Sequence, residues 1–479
     1  MSDGDLCFTP ATELVRLYRA RKVSPLEVMQ GVLARIDAVN PRVNAYVTLA
    51  RESALRSARQ ATQRLRRGAR LPPLHGVPVS IKDLTPTKGI RTTSGSKVFE
   101  HHVPAEDALV VERLKAAGAI VVGKTNTPEF GAGGNTSNAV FGATRNPWNL
   151  ALTCGGSSGG AAVALATGMG PLAHGTDLGG SLRTPAAFCG VVGFRTTPGL
   201  VPIYPTDLAW NSLSVAGPMA RTVADIALML SVMAGSDDRA PLSYDVDTRV
   251  FRAAVRRPSV RGWRVAWTPD LGGLIPVDAE VARVAEQTTR VWRTLGARVR
   301  TASPSFAELD EIVLGTRGLS MVALHADKLP RWRSEMQKGL VWNIEQGLEL
   351  TPGAIGRAEK LRSALWQRVR RFMEGYELLV LPTVAVKPFP VEQWYPTEIG
   401  GKPLENYTQW FSLTYAISVL GLPVISVPAG FTHDGLPVGI QIVGRRRQEA
   451  AVLTAAAAFE RAAPWAGHIP PVVTEGVRP

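Results

Sequence analysis

Two serines, Ser157 and Ser181, stand in glycine-rich segments of this sequence. The first segment reads Cys-Gly-Gly-Ser-Ser-Gly-Gly (154–160), and the second, Asp-Leu-Gly-Gly-Ser (177–181), ends on its serine. A serine hydroxyl attacks a carbonyl carbon when a neighbouring base takes its proton, and backbone N–H groups can then stabilise the oxyanion that develops. The two serines are therefore candidates for acyl-transfer chemistry. The candidate oxyanion donors are the backbone N–H groups of Leu178, Gly179, Gly180 and Ser181.

The first segment, taken alone, fits three kinds of loop. A phosphate loop would need the lysine and hydroxyl of GxxxxGK[ST], which are missing here. Gly155, Ser157 and Gly159 match the G-x-S-x-G of a nucleophile elbow, which an acid and then a histidine should follow in the sequence. The downstream histidines have no distinctive sequence context; they are His174, His325, His433 and His468. The third interpretation, a flexible glycine-rich turn, is hard to sustain beside the second serine segment.

Further segments carry a resemblance that extends over nearly the whole chain. Ile81-Lys82-Asp83 follows Gly-Val-Pro upstream of both serines. The other matching segments are GATRNPW (142–148), FCGVVGF (188–194), GLPVISVP (421–428) and GLPVGIQ (435–441). Together with the serine segments, they resemble the amidase signature family.

The resemblance implies a Ser-Ser-Lys triad with Ser181 as nucleophile, Ser157 as the bridging serine after a cis peptide, and Lys82 as base. A lysine is a base only when neutral, so burial and N–H dipoles must depress the Lys82 pKa from its reference value near 10.4. We expect Lys82 to draw a proton from Ser157, which draws one from Ser181, before the proton passes to the leaving amine. Water then cleaves the acyl enzyme.

Other matching positions are expected to surround the triad. Ser158 and Asp177 match residues that brace it, and Arg183 follows in the same segment as a supporting residue. Gly131 and Gly133 match positions where the family's backbone approaches the substrate. Cys154 is a departure, because related sequences usually carry proline there. As a nucleophile, Cys154 lacks an evident histidine partner.

The positive charge does not predict a nucleic-acid partner. The chain has 54 Lys and Arg against 40 Asp and Glu, a formal net charge of +14. These cations are scattered from Arg16 to Arg478, without a basic stripe interleaved with aromatics. We expect most of these cations to lie on solvated helix faces. The alternative is an electropositive rim that attracts anionic substrates.

Cysteine and histidine usage predicts neither a disulfide framework nor a cofactor. The three cysteines form no CxxC, and the seven histidines form no HExxH or comparable metal-ligand spacing. The N-terminal sequence lacks the pattern of a signal peptide, and no charge-free apolar window reaches the length of a membrane span. The expectation is a cytoplasmic protein without a membrane partner.

The pattern of elements predicts an α/β fold. Residues 1–70 form a helical layer, with a capping box at 24–27, a helix ending near Asn40 and another over 48–67. Because predicted strands occur both before and after a helical insertion, we expect one large domain rather than two, with a central mixed β-sheet flanked by helices, as in the amidase signature fold. Its parts are a signature core (71–230), a helical, substrate-shaping insertion (231–371) and a C-terminal part that completes the sheet (372–479). The predicted strands are 77–81, 119–122, 263–267, 377–381, 424–427 and 438–443.

The expected activity is cleavage of a carboxamide C–N bond by a stand-alone amidase. The family also holds glutamyl-tRNA amidotransferase A subunits, which bind glutamine through acidic and basic side chains. Here the corresponding stretch, 409–412, reads Gln-Trp-Phe-Ser and favours a hydrophobic or aryl amide. Carbamate or ester cleavage by the same triad is the alternative, followed by an amidotransferase subunit or a non-catalytic assembly subunit. The expected partner is a small-molecule amide, and a homodimer is compatible with the resemblance.

Overall fold

The strands of this protein come from all parts of the chain. The computed structural model describes residues 3–474. The strands are β1 (Tyr46–Leu49), β2 (Pro78–Lys82), β3 (Ile120–Thr125), β4 (Ser137–Asn138), β5 (Gly142–Ala143), β6 (Leu172–Asp177), β7 (Val192–Arg195), β8 (Val215–Ala220), β9 (Arg264–Trp267), β10 (Arg298–Thr301), β11 (Leu378–Pro382), β12 (Glu398–Ile399), β13 (Lys402–Pro403), β14 (Val424–Phe431) and β15 (Pro437–Gly444).

Helices connect and cover these strands. They are α1 (Asp3–Phe8), α2 (Ala11–Arg19), α3 (Pro25–Val43), α4 (Arg51–Arg66), α5 (Leu109–Ala116), α6 (Gly159–Ala166), α7 (Arg183–Cys189), α8 (Val223–Met233), α9 (Arg249–Ala254), α10 (Ala279–Thr294), α11 (Leu309–His325), α12 (Leu329–Trp332), α13 (Lys338–Leu348), α14 (Pro352–Glu374), α15 (Ser412–Leu420), α16 (Glu449–Ala462) and α17 (Pro471–Thr474). Short 3₁₀ turns lie at Lys97–Phe99, Glu129–Gly131, Ala326–Lys328 and Gln409–Phe411.

One mixed sheet organises the fold. Within the described residues it has eleven strands in the order β1-β3-β2-β6-β8-β7-β14-β15-β11-β9-β10. β2 runs parallel to both β3 and β6, with Val79 between Val121 and Leu172, whereas β6 and β8 are antiparallel. This arrangement confirms the predicted single α/β domain with a central mixed sheet. In the part expected to be mainly helical, β9 matches the strand predicted at 263–267, whereas β10 was not predicted.

The sheet separates two hydrophobic cores. Along β11, Leu378 and Val380 point into one core, and Leu379 and Leu381 point into the other. This follows from the two-residue period of a strand, and all five residues of β11 are buried. Helices α6, α8 and α16 fill the first core, whereas α11, α14 and α15 fill the second. Among residues 3–474, no helix combines the length and apolar character needed to cross a bilayer.

The N-terminal layer follows the sequence prediction with two corrections. The capping box is present: the Ser24 hydroxyl accepts the Glu27 N–H, and the Glu27 carboxylate accepts the Ser24 N–H. The predicted end of this helix near Asn40 was wrong, because α3 continues through Pro41 to Val43. A proline so near the C-terminus of a helix removes only one hydrogen bond. The second correction is the strand β1, which follows α3 and pairs antiparallel with β3.

Candidate active site

Parallel strands place Lys82 and Ser181 at one edge of the sheet. Lys82 is the last residue of β2, and Ser181 follows the end of β6, the parallel neighbour of β2. Because the carboxyl ends of parallel neighbours meet at one edge of a sheet, both residues lie at that edge. Ser157 enters from the loop before α6. Ser157 and Ser181 line one cavity of about 200 Å³.

The geometry joins Lys82 directly to Ser157. The Lys82 Nζ lies 2.7 Å from the Ser157 Oγ and 2.9 Å from the Thr176 Oγ1. Lys82 and Ser157 are buried, whereas Ser181 is partly exposed to the cavity. The peptide bond between Gly156 and Ser157 is cis, as the resemblance implied. Thr176 was not identified from the sequence, where only its place beside Asp177 marks it.

Burial changes the protonation of Lys82. It lowers the Lys82 pKa to about 7, although the negative charge of Asp177 acts in the opposite direction. Near neutral pH, a large fraction of the amine is therefore free to accept a proton. A lysine in this state, within hydrogen-bond distance of a serine, can serve as a general base.

Asp177 fixes the loop that carries Ser181. Its carboxylate accepts hydrogen bonds from the Gly180 N–H at 2.8 Å and the Leu182 N–H at 3.1 Å, and it forms ion pairs with Arg183 and Arg195, each at 3.0 Å. Burial acts to raise the Asp177 pKa, but the two guanidinium groups hold it well below its usual range. Asp177 is therefore a carboxylate with a structural role.

Arg195 was missed by the sequence analysis. It ends β7, in which all four residues are buried. A charged residue in a fully buried strand needs a counter-ion. The sequence signal for Arg195 was its position directly after the apolar run 191–194.

The predicted oxyanion donors differ in availability. The Gly180 N–H already donates to Asp177. For the N–H groups of Leu178, Gly179 and Ser181, the structure of residues 3–474 shows no acceptor, and all three residues line the cavity. Three of the four predicted donors therefore have no hydrogen-bond acceptor within the described residues.

Ser158 connects the two serine loops. Its backbone N–H donates to the Ser181 carbonyl at 3.1 Å, and its hydroxyl donates to the Thr176 carbonyl at 3.2 Å. A displacement of one loop would therefore also displace the other. Ser158 therefore links the segment of Ser157 to the segment that leads to Ser181.

Gly131 and Gly133 line the cavity on the side of Ser157. Gly131 has a φ of +71°, and a Cβ there would lie 2.8 Å from Leu84 Cδ1 and 3.4 Å from the Ser157 Oγ. A side chain at this position would crowd Ser157 as well as strain the backbone. The backbone can approach a ligand closely here.

The remaining cavity wall comes from residues 199–214 and 240–243, from helix α11, and from an aromatic group within 407–415. Phe411 lies in the stretch where the sequence suggested a hydrophobic contact, and Tyr407 and Tyr415 flank it. Helix α11 supplies a second wall that includes Arg317 and His325. The α11 residues carry no motif, so no sequence signal could have identified them. Within the described residues, no group of three or more His, Cys, Asp or Glu side chains is arranged to hold a metal ion.

Cys154 is unsuited as a nucleophile, and His174 is unsuited as a base. Burial raises the Cys154 thiol pKa to about 12, and this thiol donates to the Thr144 carbonyl at 3.4 Å. Burial, with nearby Lys124 and Lys82, lowers the His174 pKa to about 3. The base within reach of Ser157 is thus a lysine, unlike the histidine of a nucleophile-elbow hydrolase.

Known proteins match this chain along its length. The sequence family described as Amidase matches residues 27–453. An acylamidase of Rhodococcus erythropolis is 41% identical, over 98% of each chain. The glutamyl-tRNA(Gln) amidotransferase A subunit of Carboxydothermus hydrogenoformans is 35% identical, over 95% of this chain and 98% of its own. The crystal structure of a bacterial aryl acylamidase of the amidase signature family superposes with a TM-score of 0.91 at 31% identity, covering 98% of this chain and 99% of that one.

These matches span the segments that carry the two serines and Lys82. They extend to the C-terminal strands, and the shared architecture includes the whole sheet. The chain belongs to the amidase signature family and is a hydrolase that acts on amide C–N bonds.

Proposed function

We propose that this protein is a stand-alone amidase that cleaves hydrophobic or aryl carboxamides through an acyl enzyme on Ser181. The observation that carries the proposal is the 2.7 Å contact between Lys82 and Ser157, beside the cavity that Ser181 lines. Because burial lowers its pKa, Lys82 can act as the base that a serine nucleophile requires.

In the first half of the reaction, the Ser181 Oγ attacks the carbonyl carbon. Its proton passes to Ser157, while the proton of Ser157 passes to the Lys82 Nζ. The N–H groups of Leu178, Gly179 and Ser181 stabilise the oxyanion. Lys82 then returns a proton through Ser157 to the leaving nitrogen, and the amine departs.

In the second half, a water molecule attacks the acyl ester. Its proton passes along the same relay, and the tetrahedral intermediate collapses to release the carboxylic acid. The departing Ser181 oxygen regains its proton from the relay, so the enzyme returns to its starting state. No step needs a metal or an organic cofactor.

The aromatic wall supports a hydrophobic or aryl group on the substrate. Phe411 and Tyr415 stack with ring centroids 5.7 Å apart and interplanar angle 21°, and both line the cavity. Flat apolar surfaces of this kind favour contact with aromatic or aliphatic groups. The known relatives named as acylamidase and aryl acylamidase agree with this substrate class.

The test is hydrolysis of four compounds by wild type and Ser181→Ala: an aryl acylamide, a primary aliphatic amide, glutamine and a carbamate. We expect the aryl acylamide to be the best substrate, and Ser181→Ala to abolish both turnover and labelling by a fluorophosphonate. Ser363→Ala, an exposed serine in α14, is the matched control and should retain both. Activity that survives Ser181→Ala would overturn the catalytic assignment. A folded wild type that neither turns over nor takes the label would favour a non-catalytic assembly role.

A further inference from the structure

Arg317 is a buried cation in the wall of the active-site cavity. It lies in the middle of α11, is 7% exposed and lines the same cavity as Ser181. Its guanidinium donates to the Asn343 Oδ1 at 2.6 Å, to the Tyr407 hydroxyl at 2.6 Å and to the Tyr415 hydroxyl at 3.3 Å. All three acceptors are uncharged.

This setting differs from that of the other buried arginines near the site. Arg183 and Arg195 both pair with the carboxylate of Asp177. For Arg317, the structure of residues 3–474 contains no carboxylate within ion-pair distance, and the cavity lining includes neither Asp nor Glu. A buried charge without a counter-ion is costly. An arginine has five N–H donors, so the three contacts leave donors for a further acceptor.

Arg317 is connected to the predicted oxyanion loop through Tyr415. The Tyr415 hydroxyl accepts its hydrogen bond, and the ring of Tyr415 packs against Gly179. A Cβ on Gly179 would lie 2.4 Å from the Tyr415 Cε2, so ring and backbone are in tight contact. One tyrosine side chain therefore separates Arg317 from the predicted oxyanion loop. A substrate that reaches Ser181 can extend along this ring to the guanidinium.

We propose that Arg317 binds a carboxylate on the substrate, so that the preferred substrates are amides with an anionic group beyond their hydrophobic or aryl part. This inference rests on the proposed function and names its substrate class more narrowly. The guanidinium fork matches a carboxylate in geometry, and the resulting hydrogen bonds are charge-assisted. The formal net charge of +14 favours the approach of such anions.

The first test uses the wild-type enzyme and two matched pairs of anilides. With the charge on the acyl side, succinanilate is compared with the neutral anilide of 4-oxopentanoic acid. With the charge on the amine side, 4-acetamidophenylacetate is compared with 4-acetamidophenylacetone. In at least one of the two pairs, we expect kcat/KM for the anion to exceed that for its neutral counterpart by about tenfold or more.

The outcomes separate this inference from the function on which it rests. Ser181-dependent hydrolysis of the anilides without an anionic preference in either pair overturns the role of Arg317 and leaves the amidase assignment standing. If none of the anilides is hydrolysed and Ser181 takes no fluorophosphonate label, the proposed function fails, and the inference fails with it.

The second test measures the anion-to-neutral ratio of kcat/KM in variants. Arg317→Gln should bring the ratio close to one, and Arg317→Lys should retain part of it, because lysine keeps the charge but loses the fork. Arg290→Gln, at an exposed position of α10, is the control and should keep the wild-type ratio. A purely structural arginine would lower both rates together and leave the ratio unchanged, which would overturn the proposal. If Arg317→Gln does not fold, the proposal is tested by the anion-to-neutral ratios of Arg317→Lys and of the wild-type enzyme.

Discussion

The side-chain nitrogen of Lys82 and the hydroxyl oxygen of Ser157 lie 2.7 Å apart, and both residues are buried. Burial lowers the Lys82 pKa from 10.5 to about 7, although Asp177 partly opposes this effect. Since only the neutral amine accepts a proton, activity should increase as Lys82 loses its proton. The rate of hydrolysis should therefore increase with pH.

We predict that kcat/KM rises with pH through an apparent pKa of about 7 and reaches a plateau at higher pH. On the acidic side, the rate should fall about tenfold per pH unit as the neutral fraction of Lys82 decreases. The measurement is a pH profile from pH 5 to 9 with an aryl anilide that does not itself titrate. Lys82→Arg should be inactive across this range, because a guanidinium does not lose its proton. A flat profile, or one that falls with pH, would contradict Lys82 as base.

The relay predicts a ranking among hydroxyl variants. Ser157→Ala removes the group between Lys82 and the nucleophile, so kcat should fall by about 10² to 10⁴. Thr176→Val removes only the second contact of Lys82, at 2.9 Å, and should cost less. Steady-state kinetics of both variants, with Ser181→Ala as the inactive reference, test this order. A larger loss in Thr176→Val than in Ser157→Ala would speak against a proton path through Ser157.

The Asp177 network predicts a loss of stability rather than a direct loss of chemistry. Asp177→Asn leaves Arg183 and Arg195 buried without their shared carboxylate, and the expected cost is about 3 to 5 kcal/mol of unfolding free energy. Because the Asp177 pKa is held well below its usual range, its contribution is complete above the ordinary pKa and is lost only as pH falls through the lowered value. The deficit should therefore be constant between pH 5 and 8.

Urea unfolding of wild type and Asp177→Asn at several pH values provides the measurement. Asp247→Asn is the matched control, because Asp247 pairs with Arg249 at the surface, where ion pairs contribute little. The control should leave the unfolding midpoint near that of wild type. Equal effects of the two substitutions would contradict a structural ion-pair network at Asp177.

Sequence motifs predicted the triad because its members lie in local patterns with a chemical meaning. Lys82, Ser157 and Ser181 each stand in a segment that can be recognised without the fold. Arg317 and Tyr415 could not be found in this way, because they come from helices without a motif and meet only in the folded chain. Their proposed role depends on contacts between distant parts of the sequence.

Strand prediction failed where the residues are atypical of strands. β8 contains Pro218, which lies opposite His174 of β6 in the interior of the sheet. Proline usually argues against a central strand, because it cannot donate a hydrogen bond to a neighbour. β6 carries small and polar residues rather than the β-branched run that predicts a strand. Buried parallel strands such as β2 were predicted, because they are largely apolar.

The tight contact between Gly179 and Tyr415 gives a last prediction. A Cβ on Gly179 would lie 2.4 Å from the Tyr415 Cε2, so Gly179→Ala must displace either the ring or the predicted oxyanion loop. Misplacing one oxyanion donor should lower kcat by about 10² to 10³. Gly356→Ala is the matched control, since this position in α14 has open space around a Cβ.

In the control, alanine should stabilise the helix by about 0.5 to 1 kcal/mol and leave turnover intact. Comparing kcat and the thermal midpoint of the two variants thus separates loss of oxyanion geometry from a general effect of adding a methyl group. If Gly179→Ala keeps wild-type kcat, the loop does not supply the oxyanion donors. The donors would then have to come from another part of the cavity lining, such as the backbone near Gly131.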